Sequence, residues 1–353
     1  MTGWPLFGES AVRQILAVFL ASAVISCLAP PALADEGQDL AQAAGQSLIG
    51  KAAPRLKLKT IDGRTIDLGR LYGHKAVYLK FWATWCVPCR EQMPHLEHAY
   101  RTAGSDLEVI AVNTGFNDSL GRVRDYRRKL GLTVPMAMDD GRLAAALNLR
   151  VTPQHVVIGR DGKVVYVGHL ADARLDQALR AARSTATAPY AQAGTDSLKA
   201  TPHYGVGDRL PDLAPKTLDG GPFAIRDKAG ARPTVLLFVS PWCESYLATS
   251  VPKAAKDCGA VREQAQALAR DSKVRVLGVA SGLWASLDDL TEYRKHYGIT
   301  EPLTLDETGD LFRAFRVTSV PTVLVADAHG RIVRRLDGPA PGLAKQLADL
   351  TKP

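Results

Sequence analysis

Two cysteines separated by two residues are the feature of this sequence that most directly indicates chemistry. Cys86 and Cys89 lie in the stretch FWATWCVPCR, with Trp85 before the first sulfur and Pro88 between the two. A zinc site needs about four ligands, and the sequence contains this Cys-x-x-Cys once. A haem attachment motif requires His where Arg90 stands. The motif therefore favours redox chemistry over a zinc half-site or a structural disulfide.

The flanking residues predict that this dithiol lies between a strand and a helix. Residues 76–83 form a β-branched and aromatic run typical of a buried strand, and Met93, Leu96 and Tyr100 follow at helical spacing. The N–H groups at a helix start stabilise an anion, and they lower the pKa of the first Cys in such motifs to roughly 3.5–7.5. We therefore predict that Cys86 is the attacking thiol and is alkylated rapidly near neutral pH.

Length and composition indicate two ordinary globular domains. The chain has 353 residues, of which 46% are hydrophobic and 23% are charged. The net charge of +8 comes from basic residues dispersed along the sequence rather than gathered in a block. A solvated surface is therefore favoured, and no nucleic-acid partner is expected.

The N-terminus reads as a targeting segment. Residues 1–34 contain an apolar run shorter than a bilayer-spanning helix, and they end in the small-x-small site Ala-Leu-Ala at 32–34. We predict a signal peptide over 1–34, a short tether over 35–46, and a periplasmic mature protein. A second interpretation is a lipoprotein box, in which Cys27 carries a lipid anchor.

The sequence repeats itself. Landmarks of residues 47–183 return in residues 204–353, and the intervening residues 184–203 lack apolar periodicity, as expected of a linker. The recurring pairs are Gly50 and Gly207, Pro54 and Pro211, Asp62 and Asp219, Phe81 and Phe238, Trp85 and Trp242, Cys86 and Cys243, Pro153 and Pro321, and Gly162 and Gly330. We therefore predict two copies of one fold.

Strands alternate with helices within each copy. This order predicts an α/β fold whose central sheet has parallel members and helices on both faces. A turn at Asp161 and Gly162 closes a hairpin that adds an antiparallel edge. The expected architecture is thus a central mixed sheet flanked by helices, present twice in tandem.

The first copy resembles the thioredoxin-like envelope disulfide reductases of the TlpA/ResA type. The resemblance covers residues 47–183 and rests on FWATWCVPCREQMP, on the hairpin at Asp62 and Gly63, and on Thr152-Pro153. It implies a thioredoxin-like fold and thiol–disulfide exchange on exported proteins, including cytochrome c apoproteins and copper-site assembly factors. It also implies an upstream thiol donor in the membrane and no cofactor.

The resemblance also assigns roles to residues. Cys86 would attack, Cys89 would resolve the mixed disulfide, and Pro153 would follow a cis peptide bond beside the two sulfurs. Trp85, Pro88 and Thr152 would contact the substrate together with Pro153. Chemistry supports the cis expectation, because a cis peptide is inexpensive only before proline.

Two positions depart from the family pattern. Lys80 stands where thioredoxins carry a buried acidic residue six positions before the first Cys. Its charge could favour a thiolate, but a lysine whose stem extends to the surface is the favoured interpretation. Leu149 stands in the stretch before Pro153, where family members commonly have glycine, so the substrate groove is expected to differ.

A thioredoxin-fold copper chaperone is the competing function. His95, His98 and His155 are the candidate additional ligands. The first two lie on a helix face typical of solvent-exposed residues, and such chaperones usually have three residues between their cysteines. We therefore expect no metal.

The second copy lacks the dithiol because Tyr246 replaces the resolving Cys in the sequence WCESY. It could be an inert or client-recruiting adaptor domain, a single-thiol site, or a domain with a Cys243–Cys258 disulfide. Pro321 repeats Pro153 and predicts a second cis-proline.

A Cys243–Cys258 disulfide requires the helix between the two residues to be interrupted. Fifteen residues on one straight helix span about 22 Å, far beyond the roughly 7 Å between Cα atoms that a disulfide tolerates. Pro252 supplies a break, with Ser250 as a cap for the new helix. A loop over 244–249 would then return Cys243 to Cys258, which could equally be a buried small apolar residue.

Overall fold

A five-stranded mixed sheet forms the centre of each half of the chain. The computed structural model describes residues 36–186, 202–230, 232–338, 340 and 342. We call the described residues of 36–186 the first lobe and those of 202–342 the second lobe. The elements of the first lobe are α1 (Glu36–Gln46), β1 (Lys57–Lys59), β2 (Thr65–Asp67), α2 (Leu68–Leu71), β3 (Ala76–Trp82), α3 (Val87–Glu91), α4 (Met93–Arg101), β4 (Leu107–Asn113), α5 (Leu120–Lys129), β5 (Met136–Met138), α6 (Arg142–Ala146), β6 (Gln154–Ile158), β7 (Val164–Gly168) and α7 (Ala173–Arg183). Those of the second lobe are β8 (Thr234–Val239), α8 (Cys243–Ser250), α9 (Pro252–Ala269), β9 (Arg275–Ser281), α10 (Leu287–Tyr297), β10 (Leu303–Asp306), α11 (Asp310–Ala314), β11 (Thr322–Ala326) and β12 (Ile332–Asp337).

The two sheets have the same topology. The strand order is β5-β4-β3-β6-β7 in the first lobe and β10-β9-β8-β11-β12 in the second. The first three strands of each sheet run parallel, and the last two add antiparallel pairings. This arrangement confirms the predicted α/β fold with two tandem copies of a central mixed sheet.

The central strand β3 leads directly to the dithiol. Every residue of β3 is buried, as expected of a strand covered on both faces. Its alternating side chains belong to two apolar clusters: Tyr78 and Trp82 join the cluster that contains the dithiol, whereas Val77, Leu79 and Phe81 join the cluster on the opposite face. The strand therefore holds the start of α3 at the edge of a packed core.

The helix predicted after the dithiol is divided into α3 and α4 at Gln92. Pro94 lies in the first turn of α4 and lacks the N–H that a continuous helix would use at that position. The backbone N–H of Gln92 instead donates to the carbonyls of Pro88 and Arg90. The break directs the Gln92 side chain towards the sheet, where it contributes to the site described below.

The segment predicted as a tether, 35–46, contains helix α1. Ala41 and Ala44 are buried, and the helix packs closely on β7. A Cβ on Gly45 would lie 2.8 Å from Cβ of Val167, so only glycine permits this approach. The tether prediction is wrong because α1 packs through small residues, which give no strong apolar periodicity.

The connection between Cys243 and Cys258 also differs from its prediction. Residues 244–249 belong to helix α8 and not to a loop, and the break falls at Val251, before Pro252. Ser250 ends α8 and does not cap α9, since Val251 is the N-cap residue. The two helices lie side by side and are joined by an ion pair between Glu244 and Arg262, whose Nε lies 2.8 Å from Oε1.

Several predicted segments lie outside the described residues. These are the signal peptide over 1–34 with the lipidation candidate Cys27, and most of the linker over 184–203. In the part of the chain that the structure describes, no helix is both long enough and apolar enough to cross a membrane.

Candidate active site

The two sulfurs of the dithiol lie at the start of α3, and the structure shows them oxidised. Cys86 is the N-cap residue of α3, and its Sγ accepts a hydrogen bond from the N–H of Cys89 at 3.2 Å. Cys86 and Cys89 form a disulfide with 5.2 Å between their Cα atoms. Pro88 occupies the first turn of α3, where its missing N–H leaves no helical bond unmade.

The loop before β6 approaches the same sulfur. The Thr152–Pro153 peptide bond is cis, and the carbonyl oxygen of Thr152 lies 3.4 Å from Sγ of Cys86. Trp85 is buried beside them, and its indole N–H donates to the carbonyl of Phe116 at 2.8 Å. The structure thus brings Trp85, Thr152 and Pro153 together around Cys86.

A chain of buried polar groups runs beneath the dithiol. The Tyr78 hydroxyl lies 2.8 Å from Nδ1 of His155, and Nε2 of His155 lies 2.8 Å from Oε1 of Gln92. The Gln92 amide in turn donates to the carbonyl of His169, and Nδ1 of His169 lies 2.6 Å from the carbonyl oxygen of Pro153. These bonds join the centre of the sheet to the cis-proline loop.

The chain of bonds fixes the proton positions on both imidazoles. An amide oxygen only accepts, so Nε2 of His155 donates to Gln92 and Nδ1 accepts from Tyr78. Nδ1 of His169 donates to the Pro153 carbonyl for the same reason. Burial, reinforced by the charge of Lys80, holds the pKa of His155 well below its usual range. His155 is therefore a neutral positioning group for the loop.

Lys80 is buried directly under the dithiol. None of its surface is exposed, and its Nζ donates to the carbonyl of Cys89 at 3.3 Å. Burial lowers the pKa of this amine to about 7. The expectation that its stem carries the amine to the surface is wrong, because β3 is the central strand and both of its faces are covered.

The second lobe contains the other two described cysteines. Cys243 is the first residue of α8, and it forms a disulfide with Cys258 of α9, with 6.3 Å between the Cα atoms. Tyr246 stands one turn after Cys243, where the first lobe has its resolving Cys. The Val320–Pro321 peptide bond is cis, as at the matching position of the first lobe.

The dithiol face of the first lobe packs against the corresponding face of the second lobe. The rings of Trp85 and Trp242 stack with 5.1 Å between their centroids. The Tyr246 hydroxyl accepts from the N–H of Val87, the first residue of α3, at 3.1 Å. Only 2% of Cys86 is exposed. The second lobe therefore packs over the start of α3, where Cys86 lies.

Loops of the two lobes pair in a nearly symmetric way. The N–H of Asn117, after β4, donates to the carbonyl of Thr318, and the N–H of Trp284, after β9, donates to the carbonyl of Arg150. Both acceptors lie shortly before a cis-proline. The indole of Trp284 also donates to the Thr152 hydroxyl at 3.2 Å. The second lobe thus forms hydrogen bonds with the loop that precedes the cis-proline of the first lobe.

A cavity of about 880 Å³ opens beside this interface. Asp139 of the first lobe and Asp306 of the second lie at matching positions in its wall, and burial raises the pKa of each to about 6. Each carboxylate accepts backbone N–H bonds from the short helix that follows it. Cysteines are not among the cavity-lining residues, so the cavity does not open onto the sulfurs.

The three histidines considered as metal ligands do not meet. His95 contacts Asp176 at 2.9 Å, His98 is exposed on α4, and His155 belongs to the buried polar chain. Among the residues that the structure describes, no group of three His, Cys, Asp or Glu side chains has the geometry to hold a metal ion.

A Cys-x-x-Cys that begins a helix beside a cis-proline, on a mixed sheet of this strand order, defines a thioredoxin-like dithiol protein. The model of the AhpC/TSA family matches residues 49–167 and again 206–335, which together make up more than half of the chain. The chain belongs to the AhpC/TSA family, and each match falls within one of the two lobes.

Two relatives, one of them named for its activity, match the first lobe in sequence. The thiol-disulfide oxidoreductase ResA of Bacillus thuringiensis (strain Al Hakam) is 34% identical over 119 residues, which cover 33% of this chain and 67% of that protein. The thioredoxin-like protein YneN of Bacillus subtilis (strain 168) is 34% identical over 133 residues, which cover 37% of this chain and 78% of that protein. The first lobe is therefore of the TlpA/ResA type, and the protein is a protein-disulfide oxidoreductase.

One solved structure is also similar to part of this chain. The thiol:disulfide interchange protein of the thioredoxin family from Chlorobium tepidum TLS is 28% identical, with a TM-score of 0.35, and the match covers 38% of this chain and 96% of that chain.

Sequence reasoning missed the residues that join the lobes and those that form the buried polar chain. Gln92 ends the polar run Arg90-Glu91-Gln92, and His169 directly follows strand β7. Neither pattern indicates a hydrogen-bond partner. Asn117 and Trp284 have positive φ angles, which are uncommon outside glycine. Asn117 and Trp284 occupy matching positions in the two repeats, each shortly after the second long strand of its sheet. This match was the one feature of the sequence that could have pointed to both residues.

Proposed function

We propose that this chain is an exported thiol–disulfide oxidoreductase that reduces disulfides of envelope proteins through Cys86 and Cys89. The observation that carries the proposal is the placement of the Cys86 sulfur between the N–H of Cys89 and the cis-proline loop. The targeting pattern over 1–34 supports a periplasmic site of action. The partners are exported proteins with disulfides, together with a thiol donor in the membrane.

The reaction needs only the two sulfurs and a client disulfide. The Cys86 thiolate attacks one client sulfur, so that a mixed disulfide forms and the other client sulfur leaves as a thiolate. Cys89 then attacks Cys86, which restores the Cys86–Cys89 bond and releases the reduced client. Two electrons pass from the protein to the client, and the thiol donor replaces them.

The surroundings of Cys86 support the reducing direction. In the oxidised structure, the carbonyl oxygen of Thr152 lies 3.4 Å from Sγ of Cys86. In the dithiol form, a carbonyl oxygen at this position would repel a thiolate and so would oppose the N–H of Cys89, which stabilises it. Strong oxidants such as DsbA are strong because their reduced form is stabilised. A dithiol with less stabilised thiolate holds its electrons less firmly and is the better reductant.

Trapping tests the proposal in the native host. The Cys89→Ser variant lacks the resolving thiol, so it should accumulate mixed disulfides between Cys86 and envelope proteins on non-reducing gels. The matched control is the Cys86→Ser/Cys89→Ser variant, which should trap none. Equal yields from the two variants would contradict the proposal.

A further inference from the structure

The surface around Cys86 is buried, although it is the part of the first lobe that the family resemblance assigns to client binding. The exposed fraction is 2% for Cys86, 4% for Trp85 and 0% for Thr152, and Pro153 is buried as well. Thiol–disulfide exchange depends on access to the attacking thiolate. The groups that pack over this surface therefore control whether Cys86 can react.

Polar groups beside the dithiol are hydrogen-bonded to the second lobe. The N–H of Val87 donates to the hydroxyl of Tyr246 at 3.1 Å. The carbonyl of Arg150 accepts from the backbone N–H of Trp284 at 2.8 Å, and the hydroxyl of Thr152 accepts from the indole N–H of Trp284 at 3.2 Å. An extended client segment could use this donor and these two acceptors. In the observed arrangement the second lobe uses all three.

Aromatic rings of the second lobe cover the same surface from two sides. Trp242 stacks on Trp85 with 5.1 Å between the ring centroids. Trp284 meets the ring of His169 edge to face at 5.4 Å, and His169 is bonded to the carbonyl of Pro153. One ring therefore packs on the residue before the dithiol, and the other packs beside the cis-proline loop.

The loop that carries Trp284 has an uncommon backbone conformation at that residue. Its φ of 55° lies in the left-handed region, which bulky residues rarely adopt. Such outliers persist where surrounding contacts hold them, and they are frequent at functional contacts. Both N–H groups of Trp284 donate to the first lobe. The loop is therefore held in this conformation by its contacts around the first-lobe site.

We propose that the second lobe is an intramolecular inhibitor, which occupies the client surface of the first lobe so that a client disulfide reaches Cys86 only after the two faces separate. Client and second lobe compete for the same N–H, carbonyl and hydroxyl groups. The rate of exchange then follows the fraction of molecules in which the faces are apart. The inference rests on the proposed function in one respect, namely that clients approach Cys86 through this surface.

Alkylation of Cys86 by a bulky probe tests the proposal on the full chain. The Cys89→Ser variant leaves Cys86 as a free thiol and keeps the second-lobe disulfide. The probe is iodoacetamide attached to a long poly(ethylene glycol) chain, and peptide mapping assigns the label to its residue. The rate is followed against pH, because its midpoint reports the pKa of the thiol whereas its plateau reports access to the sulfur.

Two second-lobe substitutions in this background should raise the plateau. Trp284→Ala removes the indole hydrogen bond and the ring contact, so the plateau should rise about tenfold. Tyr246→Phe removes only the hydroxyl that accepts from Val87, so about threefold is expected. The milder variant keeps its ring and stays informative if the larger deletion disturbs the fold. The matched control is Leu287→Ala, an exposed residue at the start of α10, which should leave the plateau unchanged.

Plateaus that stay at the starting value in both Trp284→Ala and Tyr246→Phe would overturn the proposal. A starting plateau equal to that of the urea-unfolded chain would overturn it as well, since the sulfur would then be freely accessible.

Trapping in the native host separates this proposal from the proposed function. Cys89→Ser/Trp284→Ala should trap more envelope proteins than Cys89→Ser alone. If neither variant traps any while the alkylation plateau responds, the envelope function is wrong and inhibition by the second lobe stands. If Cys89→Ser traps clients while the plateau does not respond, the envelope function stands and the second lobe does not inhibit.

Discussion

Replacement of the buried Lys80 should change how the stability of the protein depends on pH. Burial lowers the pKa of this amine from 10.5 to about 7 in the folded state. Between these values the unfolded state binds more protons than the folded state, so the free energy of unfolding rises with pH. The destabilisation is fully present below pH 7, and it disappears as pH rises to 10.5.

The expected size follows from the shift. Each pH unit inside this window changes the free energy of unfolding by at most about 1.4 kcal/mol, so the gain from pH 7 to 10 is on the order of 4 kcal/mol. Lys80→Met keeps the length of the side chain and removes the amine. The variant should be more stable than the wild type at pH 7, by up to that amount, and should lose this part of the pH dependence.

Urea unfolding of the oxidised full chain measures the effect. Oxidation keeps the four described cysteines from titrating, so the comparison isolates the amine. The matched control is Lys129→Met, which changes an exposed lysine at the end of α5 and should follow the wild type at every pH. If the free energy of unfolding changed in parallel for the wild type and Lys80→Met between pH 7 and 9.5, the reasoning would be refuted.

Two further predictions concern packing. Trp242→Ala removes the aromatic stack between the lobes, which is worth about 1 kcal/mol, so alkylation of Cys86 in the reduced protein should accelerate about fivefold. The rate would be measured by mass spectrometry against the denatured protein, and an unchanged rate would show that the stack does not hold the lobes together. Gly45→Ala places a Cβ 2.8 Å from Cβ of Val167 and should destabilise the protein by about 1–3 kcal/mol. Gly121 is an exposed residue of helix α5, so the control Gly121→Ala should stabilise the protein by about 0.5–1 kcal/mol. If the thermal unfolding curves of both variants shifted the same way, this account of α1 would be contradicted.

The sequence was sufficient to predict the sheets and the dithiol. Residues 76–83 and 234–239 are rich in β-branched, aromatic and other apolar residues, with Lys80 as the one charged residue among them, and a run of that kind becomes a central strand in either copy. The Cys-x-x-Cys motif follows this strand, so that Cys86 is the N-cap residue of the next helix and Cys89 lies in its first turn. These features depend on short-range pattern, which a single sequence displays directly.

The features that sequence reasoning missed depend on long-range packing. Cys86 looked accessible because it follows a strand and begins a helix, but the second lobe covers it through Trp242 and Tyr246. Lys80 looked like a surface lysine because single polar residues in strands usually are. Helix α1 was missed because its contacts use alanine and glycine. In each case the elements that cover the residue lie far away in the sequence, so no local pattern reveals its burial.

The equilibrium reduction potential of the Cys86/Cys89 pair tests the central claim most directly. It would be measured against glutathione in the full chain, with Cys243→Ser/Cys258→Ser as the matched variant that removes the second disulfide. The account predicts a value near that of thioredoxin, about −270 mV or below, as expected of a reductant. A value near that of DsbA, about −120 mV, would mean that the pair oxidises its clients and would contradict the account.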